Sequence, residues 1–340
     1  MPELTYSAAL NRALREEMHR DPRVFLMGED IGVWGDGGGV FSVTKGLLDE
    51  FGSQRVRDTP ISEEGFVSIG VGAALVGARP VVELMYSDFV TLAMDPIVNQ
   101  AAKARYMFGG QASVPIVVRT NLGASGGKAA QHSQSLETWF MHVPGLKVVV
   151  PSTPADAAGL LLTAIRDDNP VMFLEHKSLY FVKGEVPDVI EPIPFGQAVV
   201  RRTGADITVV ATHVMLAMTL KAAESLAAEG IDVEVIDPRT LVPFDIETIV
   251  TSVKKTGRCL IAHEAVERAG WAAEVAFQVN QEAFDFLDAP VGRVCAANLP
   301  VPYTKTLESQ VIPGLDDVIE GIRSVVRGVR YSKDRGGQIA

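Results

Sequence analysis

The sequence of 340 residues is poor in cysteine and has no surplus of positive charge. Its two cysteines, Cys259 and Cys295, are too few for a disulfide framework or a metal cluster, and we expect both to be buried as small apolar side chains. The formal net charge of -11 argues against non-specific binding to nucleic acid or to an anionic membrane, since both need a cationic surface. The composition therefore predicts neither kind of partner.

Long apolar runs are also missing. The longest, near residues 66–78, is ended by Arg79 and is shorter than the roughly 20 residues that a membrane-spanning helix needs. The sequence starts Met1-Pro2-Glu3-Leu4 and runs into a charged amphipathic pattern instead of a cationic segment followed by an apolar signal. We therefore expect a cytoplasmic protein without a membrane partner.

What is present is an alternation of short apolar strands with helices. With 47% hydrophobic and 21% charged residues, the chain is long and apolar enough for two cores. Continuously apolar strands separated by helices predict a parallel sheet covered on both faces. We predict an α/β fold of two doubly wound domains, at residues 1–180 and 206–330, joined by a proline-rich extended linker at 181–205.

One stretch, DTPISEEGF at residues 58–66, sets polar residues directly before a glycine-rich run. Pro60 ends the preceding strand and Ser62 is a good N-cap, which places Glu63 in the first turn of a helix. Two first-turn carboxylates, Glu63 and Glu64, need no explanation beyond the helix dipole. The glycines at 65, 70, 72 and 77 do, because an interior glycine costs a helix about 1 kcal/mol. We expect something to approach this backbone closely, as in close packing at a subunit face.

Other candidate residues follow predicted strands, at the edge where open α/β sheets bind ligands. His132 lies on such a loop among small and polar residues, which suits proton handling, although a lone histidine is more often structural. Met85 and Phe89 follow another strand, and with Ile61 they are either core residues or an apolar slot for a planar ligand. For His263-Glu264 we expect a structural or interface role.

The glycine loop at 35–39 contains Gly-Asp-Gly, which is typical of magnesium-diphosphate sites. No helix opens directly after it, and no asparagine stands roughly thirty residues further on, where glutamate and phenylalanine occupy positions 64 and 66. We interpret it as an ordinary glycine loop.

Several motifs in one order resemble a known family: DTPISEEGF (58–66), ELMYSDF (83–89), AAQHSQS (129–135), PGLKVV (144–149), IRDDNP (165–170) and IDPRT (236–240). Together they are similar to the beta subunit of the thiamine-diphosphate-dependent decarboxylating component of 2-oxoacid dehydrogenase complexes. The resemblance extends from about residue 4 to about residue 326. It implies a pyrimidine-binding domain followed by a transketolase-like C-terminal domain.

The resemblance also implies roles for individual residues. Glu63 matches a glutamate that hydrogen-bonds a pyrimidine nitrogen of the cofactor and favours the imino tautomer of its exocyclic amine, and Ile61, Met85 and Phe89 match residues that contact the pyrimidine. His132 matches a histidine that assists substrate handling and acyl transfer to lipoamide. A structural potassium site matches Ile116, Ala164, Ile165, Asp167 and Asn169.

In this family the magnesium-diphosphate motif lies on an alpha subunit. The resemblance therefore implies half of an active site, completed in a heterotetramer of two alpha and two beta chains, with a lipoyl-bearing dihydrolipoyl acyltransferase core as a further partner. Pyruvate or acetoin is the expected substrate, and a branched-chain 2-oxoacid is a third option. Two other hypotheses stay open at this point: a self-sufficient thiamine enzyme of transketolase or synthase type, and a flavodoxin-like binding or electron-transfer subunit.

Overall fold

The computed structural model describes residues 2–33, 38–329 and 331. Most of the predicted glycine loop at 35–39 therefore lies outside the described residues. The chain divides into two compact units. The first comprises the chain up to Leu122 together with Trp139–Phe195, and the second comprises Gly123–Thr138 and the chain from Gly196 onward. The segment that carries His132 thus belongs to the second unit, although the sequence on both sides of it belongs to the first.

The first unit is built on a parallel sheet. Its strands are β1 (Glu3–Thr5), β2 (Val24–Gly28), β3 (Val56–Asp58), β4 (Arg79–Leu84), β5 (Val117–Leu122), β6 (Lys147–Val149), β7 (Val171–His176) and β8 (Lys183–Glu185). Within this unit the parallel strands have the order β6-β7-β5-β4-β2-β3, while β1 and β8 form a separate antiparallel pair. Both β5 and β7 are buried along their whole length, although each also carries polar residues toward its carboxyl end.

The order of these strands creates a switch point. The chain passes from β2 outward to β3 and then returns to the other side of β2 to form β4. Parallel sheets with such a reversal open a crevice at the carboxyl ends of the two strands that flank it, here β2 and β4. This topology confirms the predicted doubly wound fold for the first unit.

Helices cover the sheet. In chain order they are α1 (Tyr6–Arg20), α2 (Leu47–Phe51), α3 (Glu63–Leu75), α4 (Ala102–Met107), α5 (Glu137–Met141) and α6 (Pro154–Arg166). Capping residues define the starts of α1 and α6: Thr5 accepts a hydrogen bond from the Ala8 amide (3.2 Å), and α6 begins with a proline after Thr153. Helix α1 packs against α6, and α3 packs against β4.

The sequence pattern also predicts one helix spanning about residues 90–107, and this prediction of a continuous helix is wrong. The structure has a 3-10 helix at Ser87–Ala93, a π-helical segment at Asp95–Ala101 and then α4. Pro96 lacks the amide hydrogen that an α-helical ladder needs at this point. The Asp95 carboxylate also accepts hydrogen bonds from Asn99 (2.7 Å) and Gln100 (3.2 Å), which stabilises the wider turn.

The second unit repeats the architecture on a smaller scale. Its strands are β9 (Val199–Arg202), β10 (Ile207–Ala211), β11 (Val233–Asp237), β12 (Thr240–Val242), β13 (Cys259–Val266) and β14 (Gly292–Ala296). Its helices are α7 (His213–Ala227), α8 (Ile246–Thr256), α9 (Trp271–Ala283), α10 (Lys305–Val311) and α11 (Leu315–Val326). The sheet order is β14-β13-β10-β11-β9, parallel except for β9, so this unit has its own switch point between β10 and β13.

Segment 181–205, predicted as a plain linker, contains two strands. Strand β8 pairs with β1, and β9 is an antiparallel edge strand on β11. Proline spacing did predict extended backbone here, but strand pairing depends on distant partners that the local sequence does not specify. Within the described ranges, no helix combines the length and the apolar character needed to cross a membrane.

Candidate active site

The carboxyl ends of three neighbouring strands lie level with one another in the first unit. Gly28 at the end of β2 pairs in register with Asp58 at the end of β3 and with Glu83 near the end of β4. The chain beyond β2 continues to Glu29, and the chain beyond β3 continues to Glu63. Two acidic residues, Glu29 and Glu63, therefore follow the carboxyl ends of strands at or next to the switch point between β2 and β4.

Glu63 begins helix α3 and points inward. Its side chain is buried (6% exposed), whereas that of Glu64 is exposed. No residue within 2–33, 38–329 or 331 donates a hydrogen bond to the Glu63 carboxylate. Because buried polar groups are normally satisfied, such a carboxylate is suited to a ligand that donates a hydrogen bond. Ser62 occupies the predicted N-cap position, but its side chain makes no capping hydrogen bond to the described residues.

Glu29 is an acidic neighbour that sequence reasoning missed. It directly follows β2, it is 7% exposed, and its Oε1 atom has no hydrogen-bond partner in the described part of the chain. Burial raises the pKa of Glu29 to about 7, and the negative charges of Glu63 and Asp30 act in the same direction. The only signal in the sequence was an acidic residue placed immediately after an apolar strand.

The three predicted cofactor contacts lie at the same edge. Met85 follows β4 and is half-buried, and its carbonyl accepts a hydrogen bond from the Asn121 side chain. Phe89 lies on the 3-10 helix against which α3 packs, and its ring meets the Tyr86 ring edge-on at 5.7 Å. Ile61 is 84% exposed, so its interpretation as a core residue is wrong. The three apolar side chains and Glu63 thus belong to segments that follow the carboxyl ends of β3 and β4.

A buried ion-pair network lies on the strands that carry this edge. Arg119 on β5 is 2% exposed and donates hydrogen bonds to Glu83 on β4 (2.6 Å) and to Glu175 on β7 (2.6 and 2.8 Å). The Tyr180 hydroxyl also donates to Glu175 (2.6 Å). Burial alone would lower the pKa of the Arg119 guanidinium, but the two carboxylates raise it above its ordinary value. The network joins three strands by charge-assisted bonds.

His132 lies on a closed loop of the second unit. The Gly123 amide donates to the Gln134 carbonyl (3.2 Å) and closes the loop at its base, and the His132 amide donates to the Ala129 carbonyl (3.3 Å). Ala129 has a φ of 60°, a conformation uncommon for a residue other than glycine. His132 itself is half-buried.

The wall opposite this loop is formed by the ends of β13 and β14. A cavity of about 380 Å³ separates the loop from these strands and is lined by Ser133, Ser135, Glu264 and Asn298 among others. Glu264 accepts a hydrogen bond from the Ala124 amide. Burial raises the pKa of Glu137, just beyond the loop, to about 7, and the Glu264 charge adds to this increase.

His263, beside Glu264, is buried and lies 5.0 Å from the Trp271 ring, with its Nε2 3.4 Å from the Cys295 sulfur. Burial lowers its pKa to about 3, so the ring is neutral at physiological pH. These contacts agree with the predicted structural role. Both cysteines are buried, as predicted.

The five residues predicted as potassium ligands lie around the end of α6. Here a cation is already present, because the Arg79 guanidinium donates to the carbonyls of Ile165 (2.9 Å) and Asp167 (3.0 Å). The Ile116 carbonyl accepts from the Val171 amide (2.9 Å), and the Asn169 amide donates to the Asp167 carboxylate (2.8 Å). A carbonyl oxygen has two lone pairs, so these contacts leave room for an ion only if it shares the carbonyls with Arg79. Among the described residues, no three acidic, histidine or cysteine side chains form a metal site.

Comparison with known families defines the class of protein. Residues 2–183 match the family described as transketolase, pyrimidine binding domain, and residues 196–318 match transketolase, C-terminal domain. A solved structure titled "Split gene transketolase, inactive beta4 tetramer" aligns with a TM-score of 0.78 over 96% of this chain and 99% of its own. Its sequence identity of 23% shows a shared fold alone. The chain is thus a two-domain protein of the transketolase type.

Curated relatives narrow this class. A pyruvate dehydrogenase E1 component subunit beta of Rickettsia felis is 49% identical over 323 residues, which are 95% of this chain and 98% of that protein. An acetoin:2,6-dichlorophenolindophenol oxidoreductase subunit beta of Cupriavidus necator is 46% identical over 336 residues, 97% and 99% of the two chains. The chain belongs to the family of these dehydrogenase beta subunits, which confirms the resemblance and excludes the flavodoxin-like hypothesis.

Proposed function

We propose that this chain is the beta subunit of a cytoplasmic pyruvate dehydrogenase component that uses thiamine diphosphate and acts only with an alpha subunit. The observation that carries the proposal is the buried Glu63 side chain, whose carboxylate lacks a hydrogen-bond donor among the described residues. A pyrimidine ring fits this site, because it is planar and its protonated nitrogen can donate to a carboxylate.

Glu63 and three apolar residues have separate roles in this proposal. When bound, thiamine diphosphate supplies the carbanion chemistry that the protein cannot perform. Glu63 accepts the hydrogen bond from the ring nitrogen and so holds a proton at that atom. Ile61, Met85 and Phe89 contact the faces of the ring and exclude water, which strengthens the Glu63 hydrogen bond.

His132 assists substrate handling and acyl transfer to lipoamide. Its half-buried position on a loop, among small and polar residues, supports this role. An imidazole is suited to such a step because its ordinary pKa lies close to physiological pH.

An alpha chain supplies the rest of the site, including the magnesium ion that holds the diphosphate, in a heterotetramer of two alpha and two beta chains. Exposed apolar residues support a subunit partner: on and just beyond helix α3, Ile69 is 60% exposed and Val76 is 86% exposed. Such a surface is typical of a protein interface. A lipoyl-bearing dihydrolipoyl acyltransferase core receives the acyl group.

The proposal includes a potassium ion at the end of α6, which would share two carbonyls with Arg79. A bound ion stabilises the folded chain by mass action. Thermal unfolding in equal concentrations of potassium and sodium chloride should therefore show a higher midpoint in potassium. Equal midpoints would remove potassium from the account.

The test is purification with the alpha subunit and measurement of substrate-dependent reduction of an artificial electron acceptor. We expect the highest kcat/KM with pyruvate. The acetoin-named relatives favour acetoin as the second candidate, and a higher kcat/KM with acetoin would establish that alternative. Turnover by this chain alone, or micromolar binding of thiamine diphosphate without alpha, would instead support a self-sufficient thiamine enzyme.

A further inference from the structure

The loop that carries His132 is held in place by two carboxylates of the second unit. We propose that Glu308 and Glu264 are positioning residues, which fix the backbone of this loop and thereby the place of the His132 imidazole. The inference rests on the proposed function of His132 and deepens it.

Glu308 on α10 binds two successive backbone amides. Its Oε1 accepts from the Gly126 amide and its Oε2 from the Gly127 amide, both at 2.9 Å. The φ angles of these glycines are 79° and 90°, a region in which a side chain is strained. Consecutive amides that converge in this way form a concave anion-binding nest, here filled by a carboxylate of the same chain. Bonds from an amide to an ionised carboxylate are among the stronger hydrogen bonds in proteins.

Glu264 holds the loop near its base. It lies on β13, is 9% exposed and accepts from the Ala124 amide, one residue beyond the closing bond between Gly123 and Gln134. The first half of the loop is therefore tied to the second unit at three amides, by carboxylates from two different elements.

These contacts restrain His132 from a distance. The loop is closed at its base, and the His132 amide is bonded to Ala129, only two residues after the nest. If the nest opened, the turn that carries the imidazole would lose its support. A misplacement of a reacting group by about 1 Å can lower the rate roughly a hundredfold. A change at position 308 should therefore lower the rate of the step that His132 assists, although Glu308 contacts no reactant.

Glu308→Ala is a more informative variant than a change at the buried Glu264, because Glu308 is only half-buried and its loss removes no core packing. Glu308→Gln keeps one acceptor oxygen and serves as the conservative rescue. Ser309→Ala, the next residue on the same helix, is the matched control, since the Ser309 hydroxyl bonds only within its own helix (3.0 Å to the Thr306 carbonyl). Each variant is assembled with the alpha subunit.

Two rates are compared in each assembly: acyl transfer to a lipoyl domain, and substrate-dependent reduction of an artificial acceptor. We expect Glu308→Ala to reproduce the profile of His132→Ala, with acyl transfer reduced about 10- to 100-fold and a smaller loss in the other rate. Glu308→Gln should recover part of the rate, and Ser309→Ala should match the parent. The double variant should be no slower than His132→Ala, because a positioning residue acts only through its target.

Hydrogen exchange of the peptide covering 123–138 supplies a readout independent of activity. It should be faster in Glu308→Ala, with the rest of the chain unchanged. If exchange and acyl transfer in Glu308→Ala equal those of the parent, or if both rates fall equally, the positioning role is wrong. If His132→Ala itself retains full acyl transfer, the proposed function of His132 is wrong. Faster exchange in Glu308→Ala would still show that Glu308 fixes the backbone of this loop.

Discussion

Helix α3 contains several glycines, which are poor helix formers, and two of them allow a matched pair of substitutions that tests why glycine is present. A Cβ atom on Gly70 would lie 2.7 Å from Val82 Cγ2 and 3.1 Å from Ile116 Cδ1. A Cβ atom on Gly72 would meet no described atom within 4 Å. Gly70 is therefore required because the core leaves no room for a side chain, whereas Gly72 lies on the exposed face, where a side chain would fit.

The expected magnitudes have opposite signs. Replacing an interior helical glycine by alanine stabilises the helix by about 0.5–1 kcal/mol. At position 72 nothing opposes this gain. At position 70 the new methyl group collides with Val82, which is fully buried on β4, and overpacking of this kind costs roughly 1–3 kcal/mol. We expect Gly70→Ala to destabilise the chain by about 1–2 kcal/mol, so that the two variants differ by roughly 1.5–3 kcal/mol.

Urea unfolding of the isolated chain, followed by circular dichroism, measures this difference from the midpoints at a common slope. The midpoint of Gly70→Ala should fall and that of Gly72→Ala should rise. A Gly70→Ala chain as stable as the parent would refute the close approach of β4 to this helix. A loss in Gly72→Ala would show that its exposed side is not free in the isolated chain.

Two further predictions concern buried charges. Arg119→Met leaves the buried Glu175 carboxylate without its cationic partner, so the free energy of unfolding should fall by about 3–5 kcal/mol, and the double variant with Glu175→Leu should recover most of it in urea unfolding. Folding raises the pKa of Glu137 from 4.5 to about 7. Its contribution to the free energy of unfolding is therefore complete below pH 4.5 and is lost as the pH rises through 7. Glu137→Gln should abolish a decrease of about 3 kcal/mol over that range, measured as unfolding midpoints at several pH values, and an unchanged pH dependence would contradict the assignment.

The features of the fold that depend on neighbouring residues alone were predicted from local sequence patterns. Apolar runs bounded by glycine and proline specified the parallel strands, and Pro60 with Ser62 placed the start of α3 at Glu63, where the structure has it. The helix predicted at 90–107 failed where Pro96 and Asp95 favour a π-helical turn. That choice depends on one missing amide and a few side-chain bonds, which periodicity does not detect.

The parts of the site that escaped prediction depend on distant partners. Glu29 stands 34 positions before Glu63, and only the pairing of β2 with β3 brings the ends of their strands together. The His132 loop belongs to the second unit through Glu264 and Glu308, which follow it by more than a hundred residues. Neither relation has a signature in the local sequence, whereas the choice of Glu63 over Glu64, made on family resemblance, agrees with their different burial.

The central claim is that Glu63 activates the cofactor. It is tested most directly by comparing Glu63→Gln with Glu64→Gln, each assembled with the alpha subunit and assayed for pyruvate-dependent turnover. Acid-base groups contribute about a hundred- to ten-thousand-fold, so Glu63→Gln should lose turnover by that factor with its unfolding midpoint unchanged, while Glu64→Gln, altered at an exposed neighbour, stays within about twofold of the parent. Full turnover in Glu63→Gln, or an equal loss in both variants, would contradict the account.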